Sequence, residues 1–105
     1  MKEEFKDLNV VKNDESKRFE LTIDGHIAFI DFTQRGTDVI KLIHTEVPDQ
    51  LGGRGIAAVL VEKTLQYLED SHFSLYPICP YVFAYIKKHP EWKRIVNKNF
   101  KGFDA

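Results

Sequence analysis

The stretch VIKLIHTEVPDQLGGRGIAAVLVEKTLQYLE, residues 39–69, changes its pattern half-way along and decides the fold. Its first part, residues 39–47, is long, β-branched and nearly continuous in apolar character, which predicts an interior strand. After a cluster of glycines, apolar residues from Ala57 to Leu68 recur at three- and four-residue spacing, which predicts an amphipathic helix over residues 55–69. The centre of the chain is therefore predicted to be a strand, a glycine-rich turn and a helix.

The rest of the chain supplies further strands before this stretch, and one strand and one helix after it. Phe19, Leu21 and Ile23 alternate with polar residues, as in a half-buried strand, and the next two residues, Asp-Gly, form a favoured hairpin turn. Pro80 suits the first turn of a second helix. The other predicted elements are strands over residues 9–12, 26–32 and 73–76, a polar break over residues 34–38, a second helix over residues 80–89 and one helical turn after residue 91.

Length and composition limit the class of protein. The 105 residues allow a single domain, residues 1–105, of which about the last eight are expected to be flexible. The net charge of −1 provides no long-range attraction to polyanions, so we expect no nucleic-acid partner. The lone cysteine, the absence of an apolar leader and the short apolar runs predict a cytoplasmic protein without membrane association. Exposed edge strands would allow a weak homodimer as well as a monomer.

The turn over residues 50–57 has the composition of a phosphate-binding loop. Its glycines let the backbone turn tightly and bring N–H groups close to a ligand, while the following helix adds unpaired N–H groups and the positive end of its dipole. Alternatively, the glycines serve only the geometry of a strand-to-helix loop, and spacing alone leaves both interpretations open. The candidate binding residues are Val47, Gln50, Leu51, Gly52, Gly53, Arg54, Gly55, Ile56 and Ala57.

Several motifs in the right order resemble the GNAT superfamily of N-acyltransferases. The turn contains Gln50-x-x-Gly53-x-Gly55, which matches the Q/R-x-x-G-x-G/A pattern by which that superfamily binds acyl-CoA. The similarity extends from about residue 19 to residue 92 and is strongest to a subfamily of roughly hundred-residue members. The further matching motifs are His44-Thr45-Glu46-Val47-Pro48, Gly53-Arg54-Gly55-Ile56-Ala57, Pro77-x-Cys79-Pro80-Tyr81-Val82, Tyr85-Ile86 and His89-Pro90-Glu91-Trp92.

The resemblance implies a fold and a cofactor. The fold is a minimal α+β GNAT-like one, with a mostly antiparallel sheet of about five strands, a long helix after the fourth and a second helix after the fifth. The cofactor is acetyl-CoA, that is, acetylated coenzyme A, and its pyrophosphate would lie on the amides between Leu51 and Ile56. The N–H of Val47 would polarise the thioester carbonyl, where the strands flanking the long helix part. Pro77 fits a parting there, because it cannot donate a ladder hydrogen bond.

Cys79 is the first candidate for a chemical role. It directly precedes Pro80, at or beside the N-cap of the second helix, and helix N-termini favour the reactive thiolate. The resemblance places it near the thioester, where it could accept the acyl group or sense the thiol of coenzyme A. The alternative is a buried structural cysteine, which is a common fate of free thiols.

His44, Glu46 and Tyr85 are the other catalytic candidates. Side chains alternate along a strand, so His44 and Glu46 share a face and suggest a base with its orienting partner. Tyr85 shares a helix face with Tyr81, and in many GNAT enzymes a helix tyrosine protonates the departing thiolate. Alternatively, His44 is a histidine of the core, Glu46 is a carboxylate in water and Tyr85 is a tyrosine of the core. No metal-ligand spacing appears, so we predict no metal site.

Three functions are compatible with this sequence. The resemblance favours an acetyl-CoA-dependent N-acetyltransferase acting on an unidentified amine, either a small molecule or a protein. The chain lacks the early helices and late strands that usually shape the acceptor site, which favours instead a protein that binds or senses acetyl-CoA with little turnover. The third is a small structural or adaptor domain, in which the glycines would serve only the geometry of the turn.

Overall fold

The computed structural model describes residues 3–104, so Met1, Lys2 and Ala105 lie outside it. The five strands lie side by side in chain order; the first four are antiparallel, and the fourth pairs with the fifth in parallel across a helical crossover. This confirms the predicted fold class. The elements are β1 (Val11–Asn13), β2 (Arg18–Ile23), β3 (His26–Arg35), β4 (Val39–Glu46), α1 (Ile56–Asp70), β5 (Ser74–Pro77) and α2 (Pro80–Lys88), with 3-10 turns at Glu3–Phe5, Asp49–Leu51 and Pro90–Ile95.

The hydrophobic core lies on one face of the sheet. Alternate side chains of β2, β3 and β4, such as Phe19, Ile30 and Leu42, are fully buried together with the apolar stripe of α1. The opposite face is open, and Ile27 and Ile43 there are 46% and 38% exposed. The apolar run in β4 is therefore not buried on both faces, although it is long enough to suggest this.

Two predicted boundaries in the first half are wrong by more than one residue. β3 continues to Arg35, because residues 33–35 pair with residues 39–41 across a tighter hairpin than the polar break at 34–38 suggested. β1 begins at Val11, two residues later than predicted. Ladder hydrogen bonds come from the backbone, so polar side chains at a solvated hairpin do not end a strand. The other strand and helix bounds agree with the predictions to within one residue.

The two strands that flank α1 part near their carboxyl ends. The pairing of β4 with β5 stops at Leu42 and Pro77, while β4 continues for four more residues. Next to the last residue pair of β4 with β5, β4 carries a β-bulge against β3, in which Ile43 is the extra residue. A bulge of this kind bends the strand that carries it. The parting predicted from the proline at position 77 is therefore present in the backbone.

The end of the chain packs against β5 and α2. Val96 forms an isolated parallel bridge with Leu75, on the free edge of β5. Phe103 stacks on Phe83 with a centroid separation of 4.4 Å. Neither helix in residues 3–104 combines the length and apolar character that crossing a membrane requires.

Candidate functional site

The turn between β4 and α1 begins with a short 3-10 turn that uses some of its own amides. The N–H of Leu51 donates to the carbonyl of Pro48 at 2.9 Å, and the N–H of Gly52 donates to that of Asp49 at 3.0 Å. The side chain of Leu51 is buried in the core, whereas Gln50 is exposed. The donors available to a ligand therefore begin at Gly53, two residues later than the sequence pattern suggested.

Gly53 and Gly55 are needed for the path of the chain. Their φ angles are +76° and +72°, in the left-handed region that side chains with a Cβ atom avoid. A Cβ atom built on either would have no neighbour within 4 Å, so the space above the backbone is open. The turn thus exposes its backbone at these two positions, with no side chain above it.

The amides at the start of α1 are left without partners. Among residues 3–104, the N–H groups of Gly53, Gly55, Ile56, Ala57 and Ala58 donate no hydrogen bond. The first helical bond runs from Val59 to the carbonyl of Gly55, and the first turn contains no acidic residue. Free N–H groups at a helix N-terminus, together with its dipole, favour an anion. We call these five residues the amide cluster, and its donors suit a phosphate-like anion.

Arg54 is held beside the amide cluster by carboxylates. Its Nη1 lies 2.6 Å from Asp24 Oδ2, its Nη2 lies 3.5 Å from Glu4 Oε2, and the guanidinium stands 5.4 Å from the ring centroid of Phe5. The hydrogen bond to Asp24 is the main cause of its raised pKa. Arg54 thus ties the turn to the β2–β3 hairpin and to the start of the chain, and it would reach a phosphate only by exchanging these partners.

His44 and Glu46 lie on the open face of the sheet at the end of β4. Their Nε2 and Oε2 atoms are 3.6 Å apart, and both side chains are 58% exposed. Asp31 pairs with His44 across β3 and β4, and Arg18 Nε donates to Asp31 Oδ1 at 3.0 Å. Arg18 and Asp31 were missed in the sequence, since only the pairing register places them in a row with the histidine.

Cys79 lies on the other face of the sheet, beneath the helices. The residue is 3% exposed, its thiol lies 3.3 Å from the hydroxyl of Thr45, and its N–H donates to the carbonyl of Leu42 at 2.8 Å. It is the N-cap residue of α2, as predicted. The Thr45–Cys79 contact joins the strands where their backbone pairing ends. Because Thr45 alternates with His44 and Glu46 along β4, the sheet separates the thiol from that pair.

Comparison with known proteins decides the family. The family model described as GCN5-related N-acetyl-transferase matches residues 18–95. The chain belongs to this family. It is also 31% identical over 83 residues to Protein NATD1 of Mus musculus and of Gallus gallus. The aligned region covers 76% of this chain and 76% of each relative. Protein NATD1 of Homo sapiens is similar at 31% identity, over 76% of this chain and 74% of the relative.

In this GCN5-related chain, a groove runs between the first two turns of α1 and the length of α2. One part of it has a volume of about 220 Å³, with residues from both helices in its walls. Tyr85 stands in the middle of the groove, donates to Glu62 Oε1 at 3.3 Å and lies 4.3 Å from the ring of His89, centroid to centroid. The lining residues of this part are Ala58, Tyr81, Ala84, Tyr85, Lys88 and His89.

Both phenols of the groove hold their protons more strongly than usual. Desolvation, followed by the nearby carboxylate of Glu62, raises the pKa of Tyr85 to about 12. Burial raises the pKa of Tyr81, which is 42% exposed. Both groups are therefore neutral hydrogen-bond donors at physiological pH. Tyr85 contacts Glu62 and His89, and it has no hydrogen bond or ring contact with Cys79, His44 or Glu46.

The predicted site residues thus fall into three places. The amide cluster and Arg54 form the corner at the start of α1, His44 and Glu46 form a pair on the open face, and Cys79 and Tyr85 lie on the helix face. Within residues 3–104, no three histidine, cysteine, aspartate or glutamate side chains are grouped so that they could hold a metal ion. Val47, just past β4, is half-buried and packs against the core.

Proposed function

We propose that this chain is an acetyl-CoA-dependent N-acetyltransferase. The observation that supports this is the amide cluster, which lies at the start of α1 in a chain of the GCN5-related family. Five free backbone donors and a helix N-terminus favour a diphosphate, and the two left-handed glycines keep side chains away from it. Acetyl-CoA carries such a diphosphate and supplies an activated thioester when bound. The acceptor is an amine.

The reaction transfers one acetyl group. A bond forms between the amine nitrogen and the acetyl carbon, the carbon–sulfur bond breaks, one proton leaves the nitrogen, and the thiolate takes up one proton. We assign the first proton to His44, because its ring nitrogen is solvated on the open face and Glu46 is close enough to orient it. The amine would then approach from the open face. The backbone of Val47 lies at the end of the same strand, where its N–H would polarise the thioester carbonyl.

A tyrosine of α2 is the assigned source of the second proton. Tyr85 keeps its proton at any physiological pH, since its pKa is about 12, and it lies on the helix face of the sheet. Its hydrogen bond to Glu62 would have to be exchanged for the thiolate. Tyr81, one turn nearer to the N-cap and more exposed, has the same chemistry and lines the same groove. Transfer rates of the two Tyr→Phe variants would distinguish these phenols.

Binding is tested by titrating acetyl-CoA into the isotope-labelled protein and following its backbone amide resonances. We expect the largest shifts at Gly53, Gly55 and Ala57, with small shifts at Gly36, a left-handed turn glycine of the β3–β4 hairpin. Unchanged resonances at the amide cluster under saturating acetyl-CoA would contradict the proposal. The protein is then incubated with acetyl-CoA and a panel of primary amines and peptides while thiol release is measured. Binding without release from any amine would favour the alternative, a protein that binds or senses acetyl-CoA.

The burial of Cys79 favours direct transfer over a covalent acyl-enzyme. A thiol that is 3% exposed and separated by the sheet from His44 is poorly placed to pass an acetyl group to an amine. We expect the intact protein to gain no acetyl mass with acetyl-CoA, and Cys79→Ala to keep its rate of transfer within about ten-fold. An acetylated wild-type protein, with no mass gain in Cys79→Ala, would establish instead the covalent route that the sequence suggested.

A further inference from the structure

The guanidinium of Arg18 is held in place on the open face of the sheet. Its Nε donates to Asp31 Oδ1 at 3.0 Å, and its Cζ stands 3.8 Å from the centroid of the Phe29 ring. Within the described residues 3–104, neither of its Nη groups donates a hydrogen bond, and the side chain is 42% exposed. An arginine that is stacked on a ring and anchored through Nε keeps a planar pair of donors, which can bind a carboxylate through two hydrogen bonds.

This guanidinium lies over the strand next to the assigned base. Both of its partners, Asp31 and Phe29, belong to β3, so the side chain has crossed from β2 onto the neighbouring strand. In the register of β3 with β4, Asp31 is opposite His44 and Phe29 is opposite Glu46. Neighbouring strands are about 5 Å apart, so an anion on Arg18 and an amine on His44 would be separated by about 5–10 Å.

The surroundings of the guanidinium favour a molecule with an ammonium group and a single negative charge. Glu20 and Glu46 are the register partners of Phe29 on the two adjacent strands. Their carboxylates attract an ammonium group and disfavour a phosphate with two negative charges. Ile27 and Ile43, which are exposed on the same face, offer apolar surface to a methylene chain.

We propose that the acceptor is an aliphatic amine with a carboxylate at the far end of a short chain, and that Arg18 binds this carboxylate. The amine at the other end is then presented to His44. This inference rests on the proposed function and adds to it the chemical class of the acceptor. A free amino acid, or a peptide with an acidic residue near its amine, would supply the same two groups.

A second arginine of the sheet provides a matched control. Arg35 is exposed at the end of β3, where it pairs with Val39. It is four residues beyond Asp31 on the same strand, which corresponds to about 13 Å. Arg18→Gln and Arg35→Gln each remove one positive charge from the sheet, but only the first removes it from the neighbourhood of His44.

The test compares 6-aminohexanoate with 6-aminohexanamide, which have nearly the same shape and differ by one negative charge. Thiol release from acetyl-CoA is measured at low ionic strength, where exposed charges are least screened. We expect wild type to have a kcat/KM about ten-fold higher for 6-aminohexanoate, because the amide lacks the charge-assisted contact. Arg18→Gln should bring this ratio to about one through a loss on 6-aminohexanoate alone. Arg35→Gln should keep the ratio within about two-fold of that of wild type.

A pair of peptides distinguishes the two sources of the acceptor. Both peptides have blocked termini and one lysine, and they differ only in an aspartate or an asparagine two residues after that lysine. A higher kcat/KM for the aspartate peptide that depends on Arg18 would identify a peptide acceptor. The same preference in the 6-aminohexanoate pair alone would identify a free amino acid, and either result supports the inference.

The other outcomes separate this inference from the proposed function. Equal kcat/KM for the charged and the neutral member of both pairs in wild type would overturn the inference and leave the transferase intact. An equal loss on both members in Arg18→Gln, or the same loss of preference in Arg35→Gln, would overturn it as well. So would thiol release with other amines but with neither pair. Absence of thiol release with every amine would overturn the proposed transferase, and this inference with it.

Discussion

Gly55→Asp is expected to lower the affinity for coenzyme A by about 100-fold while leaving the protein folded. A Cβ atom at Gly55 would meet nothing within 4 Å, so the new carboxylate enters open space beside the free amides of the cluster. Two charges about 4 Å apart repel by about 4 kcal/mol at an effective dielectric constant of about 20, and 100-fold corresponds to about 2.7 kcal/mol. The affinity is measured by calorimetry with coenzyme A.

The matched control is Gly55→Asn, which has the same shape without the charge. Asparagine and aspartate both tolerate positive φ better than other residues, so each should cost about 1 kcal/mol of stability at the φ of +72°. We expect the asparagine variant to bind coenzyme A at least ten times more tightly than the aspartate variant. Equal affinity of both variants and wild type would place the diphosphate elsewhere, provided that thermal unfolding shows all three to be folded.

His44→Asn is expected to lower kcat/KM for amine acetylation by about 100-fold, because a positioned general base contributes 10²- to 10⁴-fold. Asparagine keeps a flat polar side chain on the open face but cannot accept the amine proton. Glu46→Gln should lower kcat/KM less, by about ten-fold, because Glu46 only orients the imidazole ring of His44. Its Oε2 lies 3.6 Å from Nε2 of that ring. The affinity for coenzyme A should stay unchanged in both, because neither residue lies in the amide cluster or the groove.

Two further measurements distinguish a base from a structural residue. His26→Asn makes the same change at the start of β3, where His26 pairs with Ile23, and it should leave kcat/KM unaltered. Added imidazole should restore part of the activity of His44→Asn. It should not restore the activity of a variant of the amide cluster such as Gly55→Asp. Full activity of His44→Asn at every pH would remove the histidine from the mechanism and leave proton removal to water or to another group.

The sequence predicted the elements well because their signals are local. The three- and four-residue spacing from Ala57 to Leu68 found α1 to within one residue at each end, and Pro80 marked the start of α2. The polar residues 34–38 wrongly predicted that β3 ends before them. A strand continues for as long as its backbone groups have partners, and residues 33–35 of β3 are paired with β4. The parting of β4 and β5 was anticipated from Pro77, but the bulge at Ile43 that accompanies it has no signal in the side chains.

The candidate site was less predictable, because residue proximity in space depends on packing. The turn was found from its glycines, yet its Leu51 and Gly52 amides are used within a 3-10 turn, a choice that depends on dihedral angles. His44, Glu46 and Cys79 are all catalytic candidates from the sequence, and the structure places the thiol on the opposite face of the sheet from the other two. The sequence does not tell which of the neighbouring lysines 87 and 88 lines the groove. Only the packing of α2 against α1 places Lys88 in its wall and Lys87 beside the ring of Phe83.

The amino-acid sequence by itself determined the element order, the glycine-rich turn before a helix and the family. These follow from short-range periodicity, from the backbone freedom of glycine and from motifs that can be read without coordinates. Tertiary structure alone decided which amides stay free, which face of the sheet is covered and which lysine faces the groove. Each of these depends on partners that are distant in the chain, and local preferences carry no information about such partners.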